Sequence, residues 1–302
     1  MNSVATFRGT LLPPLLIGLG YAAAQAIGRG TGWEGLYWQS PFMFWFLSGL
    51  IMALAMRPVI ARIPWRRDTA FGVAAAMLLG MGPVAEWCAA RLLEIAGAKG
   101  SAALVPPNVV PELLGLFMAA GLMGGLFRPR GGEIGWAGLR VRLKRHTPAG
   151  WALRLGGLAL AALGAGIVIG AVAVWSADAL LVPPLLDINP WALLAKPNGD
   201  AAAPMQILAI GWLRALALVA PLVPVALVLR GTRLQVTLVF ALLLFVIGDF
   251  APMIEDQPFP SPLWLTARVA LDALKAGLIG WCAAHLIGQI RKIDISAAGP
   301  PG

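Results

Sequence analysis

Charge is what this sequence has least of. Asp, Glu, Lys and Arg make up 12% of the 302 residues, while apolar types make up 59%. A soluble domain carries roughly 25% charged residues, so the deficit excludes a surface turned to water over most of its area. Two cysteines, Cys88 and Cys282, are too few for a disulfide framework, and each reads as a small apolar helix residue. Two separated histidines, His146 and His285, do not make a haem or metal site, and no four-ligand set of His and Cys exists for zinc, copper or an iron–sulfur centre. No cofactor is expected. HExxH, GxSxG and Walker sequences are also missing, which weighs against metalloprotease, serine hydrolase and nucleotide-hydrolysing activities and makes an enzyme the less favoured class. The net charge of +9 comes with no nucleic-acid-binding motif and no long basic helix, so no nucleic-acid partner is expected.

What the chain has instead is long apolar runs. They fall at Thr10–Ile27, Pro41–Ala61, Ala70–Ala90, Val109–Phe127, Gly150–Trp175, Met205–Leu229, Leu234–Ile254 and Pro262–Ile290. A hydrocarbon layer of about 30 Å is crossed by roughly 20 apolar residues in a helix, and in lipid the backbone satisfies its hydrogen bonds as helix or closed barrel. The expectation is an all-α integral membrane protein, a bundle of about eight transmembrane helices. The first run lacks a small-residue cleavage site after it and reads as a retained helix rather than a signal peptide.

Positive charge orients the set. Sixteen Lys and Arg residues fall in one alternating group of loops, with clusters at 57–67 and 128–154, and four (Arg29, Arg91, Lys99, Lys196) in the other. The positive-inside rule places the first group, and both termini, in the cytoplasm. The expected setting is a bacterial inner (plasma) membrane, with the lipid bilayer as the main partner. The chain is read as a single polytopic domain, 1–302. Within it, residues 1–127 form a first four-helix half, 128–149 a basic cytoplasmic loop and 150–302 a second four-helix half, a 4+4 arrangement. The sequences GMGPVAEW at the end of run three and GDFAPMIE at the end of run seven are weakly alike, each carrying a Pro followed three residues later by a Glu. The outer stretch at 177–204 reads as lying at the outer interface or folding back on the bundle, not as a ninth span.

Ionisable groups inside apolar runs are the default functional candidates, because burying them in lipid is costly. In the last run, RVALDALKAGLIGW places Arg268, Asp272 and Lys275 at i, i+4 and i+7 on one face, so this helix is expected to turn that face inward, against helices six and seven. Counting 1.5 Å per residue from the helix ends brings Arg214 and Asp272 to one depth and Asp249 and Arg268 to another, which predicts the pairs Arg214–Asp272 and Asp249–Arg268. Glu86, beside Pro83 and Trp87, is a further candidate carboxylate. Gly121 with Gly125 and Gly166 with Gly170 have close-packing spacing and are expected at helix contacts within the bundle. Pro221 and Pro224 interrupt run six.

Two functions fit these features. The first is a secondary transporter or channel-like permease for a small polar or anionic solute, using the charged face of the last helix, with Arg214, Asp249, Arg268, Asp272, Lys275 and Glu86 along the path. The second is a non-catalytic membrane subunit or scaffold, whose partners would be other membrane subunits.

Overall fold

Each apolar run folds as helix, and local sequence signals set where the helices begin. A computed structural model describes residues 11–30, 40–95, 109–127, 132–144, 146–180, 182–183, 185, 203–255 and 259–290. In chain order the helices are α1 (Leu12–Arg29), α2 (Pro41–Ile60), α3 (Arg67–Leu79), α4 (Ala85–Ile95), α5 (Val109–Leu126), α6 (Trp136–Leu143), α7 (Pro148–Leu180), α8 (Ala203–Val219), α9 (Leu222–Ala226), α10 (Arg233–Phe245), α11 (Ala251–Glu255) and α12 (Pro262–Leu286). Proline opens α2 and α12, where its missing N–H costs nothing. In each case the preceding serine caps the helix: Met43 N–H donates to Ser40 Oγ (3.3 Å) and Trp264 N–H to Ser261 Oγ (3.1 Å). Thr232 and Gln235 form a reciprocal capping box at the start of α10.

Runs three and seven are interrupted by a wider turn. Segment π1 (Gly80–Val84) joins α3 to α4, and π2 (Val246–Phe250) joins α10 to α11. Proline lies at or just beyond each of them, Pro83 within π1 and Pro252 within α11, where it removes a backbone donor and leaves carbonyls to rebond further along. Run six is broken as well, by a turn at Ala220–Pro221 between α8 and α9.

Among the described residues, five helices are long and apolar enough to cross a membrane: Pro41–Ile60, Arg67–Leu92, Pro148–Leu180, Arg233–Glu255 and Pro262–Leu286. Val110–Leu126 and Pro204–Val219 are shorter apolar helices. This is the architecture of an all-α integral membrane protein. The longest helix, α7, runs past the expected Trp175 to Leu180. Beyond it Leu185 is buried with Trp264 and Ile169, while the remainder of the outer stretch at 177–204 lies largely outside the described residues.

The helices follow a repeated packing pattern. α1 lies against α2 and α5, and α3 against α5; likewise α7 lies against α8 and α12, and α10 against α12. The two sets meet where α4 and π1 touch α8, where α11 touches α2, and where π1 touches π2. A Cβ on Gly80 would lie 2.4 Å from Pro221 Cγ, so only glycine admits α8 this closely. Gly280 likewise gives α10 its approach, with a Cβ there 2.7 Å from Ala241 N. The expected seat of the last helix holds for helix seven, since α12 lies mainly on α10, and is corrected for helix six: its other main neighbour is α7, the helix of run five, rather than α8. Gly121 and Gly125 also depart from expectation, since among the described residues nothing lies within 4 Å of a Cβ at either position. They point outward from the bundle.

The basic loops gather at one end. Trp65 bridges Ile134, and Arg230–Gly231 pairs in parallel with Gln289–Ile290. The segment read as a basic loop at 128–149 contains α6, and Arg142 from it donates to Leu227 C=O (3.1 Å) beyond α9. Arg154 donates to Leu286 C=O (2.8 Å) at the end of α12. Both arginines meet the negative end of a helix, where a cation is favoured.

Candidate functional site

The charged face of α12 turns into the bundle. Arg268 and Asp272 are 8% and 1% exposed, whereas Leu263, Leu274, Leu278 and Trp281, on the rest of the helix, are exposed. A helix with charge on one side and large apolar groups on the other satisfies lipid only in this rotation.

The charges form one connected network. Arg268 Nε donates to Asp272 Oδ2 at 2.8 Å, one helical turn along, and its guanidinium lies 5.8 Å from the centre of the Trp264 ring. Lys275 Nζ reaches Asp272 Oδ1 at 3.2 Å and Asp249 Oδ1 at 2.6 Å. Asp249 is carried by π2, so Lys275 ties α12 to the widened turn of its neighbour. Both oxygens of Asp272 therefore meet a cation. Each partner offsets the desolvation of the other, and a lone member left in place would be strongly destabilising.

Arg214 stands on α8 within electrostatic range of Asp249, Lys275 and Cys88. Its Nε is buried and has no hydrogen-bond partner among the described residues. The five side chains carry three positive and two negative charges, so the set has one positive charge in excess and a guanidinium N–H that no described residue bonds.

The predicted pairing is corrected. Asp272 is held by Arg268 and Lys275 rather than by Arg214, and the short bond to Asp249 comes from Lys275. Depth along straight helices misleads here because π2 changes the register of its helix, and because a side chain one turn away on the same helix is always within reach. Glu86 is exposed on α4 and lies instead within electrostatic range of Glu112 and Glu255.

A second group escaped the sequence reading. Tyr21 donates to Glu255 Oε1 at 2.9 Å and accepts from Gln25 Nε2 at 3.0 Å. The signal was present as two polar groups at i and i+4 in the first apolar run. Cys88 and Cys282 are free thiols. Comparison with known protein families, with characterised proteins and with solved structures returns no match.

Proposed function

We propose that the chain is a permease for a small anionic or polar solute, which it binds at the junction of its two halves. In this reading eight helices span the bilayer as a duplicated four-helix unit, 1–127 and 150–302, with the basic end and both termini in the cytoplasm of a bacterial inner membrane. The repeated packing pattern, the matched π segments and the gathering of the basic loops at one end support that arrangement. Parallel repeats in transporters enclose their solute at the repeat interface, and Arg214 stands at such a place, on the α8 surface that meets α4 and π1.

The observation that carries the reading is the unbonded Nε of Arg214 beside a buried network with one excess positive charge. An anion supplies both the acceptor and the missing negative charge. The test is thermal unfolding of the purified chain against a panel of small anions at constant ionic strength. An anion that binds raises the melting temperature of the wild type and not of Arg214→Gln. A flat response to every anion in the wild type counts against an anion site.

A scaffold is the second reading. Gly121 and Gly125 on α5 leave an exposed small-residue face that no described residue covers, which is the kind of surface a partner helix can approach closely. Copurification of a stoichiometric membrane partner, lost on Gly121→Leu, supports it; recovery of the lone chain in mild detergent opposes it.

A further inference from the structure

The Tyr21 cluster is the opposite of the α12 network in charge. Tyr21 and Gln25 stand one turn apart on α1, Ser48 faces them from α2, and Glu255 closes α11. Gln25 and Ser48 are fully buried and Tyr21 is 2% exposed. The Ser48 hydroxyl is buried with no hydrogen-bond partner among the described residues, and the Glu255 carboxylate receives the Tyr21 hydroxyl at 2.9 Å. Glu86 on α4, Glu112 in the first turn of α5 and Arg29 at the end of α1 are the charged groups within electrostatic range of Glu255. Arg29 is exposed and places its guanidinium 4.8 Å from the Trp45 ring centre.

One atom points to a missing occupant. Gln25 Oε1 is buried with no hydrogen-bond partner among the described residues, although its amide nitrogen is bonded to the Tyr21–Glu255 pair. Native proteins rarely leave such an acceptor empty. The cluster thus offers one carboxylate together with amide and hydroxyl oxygens. Among the described residues no three His, Cys, Asp or Glu side chains converge as a metal-holding group, and a divalent ion draws on several carboxylates. A single carboxylate with neutral oxygens balances a single positive charge.

We propose that Tyr21, Gln25, Ser48 and Glu255 form a site for one monovalent cation, a sodium ion or a proton, reached from the Arg29 end of the bundle. The exposed Glu86 draws cations toward it. Its use as the coupling ion of a permease rests on the reading above; its occupancy does not.

The full-length chain in detergent tests the site in two arms. In the first, the melting temperature is measured in sodium chloride against N-methylglucamine chloride at equal ionic strength and pH. A saturable rise with sodium that Glu255→Gln and Gln25→Leu abolish identifies a sodium site. In the second, infrared difference spectra follow the protonated carboxyl band as pH is stepped without sodium. A titrating band that Glu255→Gln removes and Tyr21→Phe shifts identifies a proton site. Gln25→Leu and Tyr21→Phe alter no carboxylate and serve where Glu255→Gln fails to fold. A sodium effect unchanged in the variants, or no sodium effect together with no band dependent on these residues, overturns the proposal. Neither arm measures transport or anion binding, so its failure is distinct from failure of the permease reading.

Discussion

Lys275 and Asp249 join two helices by a bond of 2.6 Å, and the Asp249 end of that bond sits in a π turn rather than a regular helix. Lys275 also holds Asp272 at 3.2 Å, so one ammonium bridges two carboxylates in the interior. The connection makes α12 and π2 a unit: whatever displaces one turn moves the other.

Removing one partner of this bond leaves the other buried and uncompensated. Asp249→Asn or Lys275→Met alone is expected to lower stability by about 3–5 kcal/mol, the usual cost of orphaning a buried charge. The double variant retains Asp272 with Arg268 and is expected to lose less than the sum of the two singles. Fluorescence-detected melting of the four chains in one detergent measures the coupling; additive losses would show that the two side chains act independently.

Packing at the junction of the halves depends on glycine. Gly80→Leu drives a side chain into Pro221 and Ala217, where even a Cβ meets Pro221 Cγ at 2.4 Å. The expected loss is at least about 1–3 kcal/mol, the range for overpacked cores. Gly121→Ala, with no described residue within 4 Å of its new Cβ, does not lower the melting temperature. An equal effect at both positions would contradict the packing described.

Sidedness follows from the ends of the bundle. In a chain without Cys88 and Cys282, Lys144→Cys in the basic loop and Gly30→Cys at the end of α1 are expected to react with an impermeant thiol reagent from opposite faces of sealed vesicles. Reaction of Gly30→Cys from the cytoplasmic face would remove the assigned orientation.

The helical spans were legible because apolar length in a membrane leaves the backbone little choice. Boundaries at Ser40, Thr232 and Ser261 were set by caps that the chain spells out in its residues. The loop helix α6 escaped because Arg140, Arg142 and Lys144 make it too polar to read as a span, and its docking to Leu227 is tertiary. Prolines 83 and 252 marked where helices three and seven would be disturbed, but not that the disturbance would be a π turn, nor that π1 and π2 would meet. The five charges of the α12 network were all named from sequence. Their pairing was not, because helix order around a bundle is decided by packing: α12 chose α7 as a neighbour instead of α8. Tyr21 and Gln25 were passed over because single polar residues are common in apolar runs, and Glu255, their distant partner, was read as part of an outer loop.

A solute path along the network is tested most directly by water access at Arg214. In a chain lacking Cys88 and Cys282, Arg214→Cys is treated in sealed vesicles with a small charged methanethiosulfonate from each side. Modification from at least one side is the result expected of a permease. A folded variant that stays unreactive from both sides would contradict it and leave the charges as a structural brace.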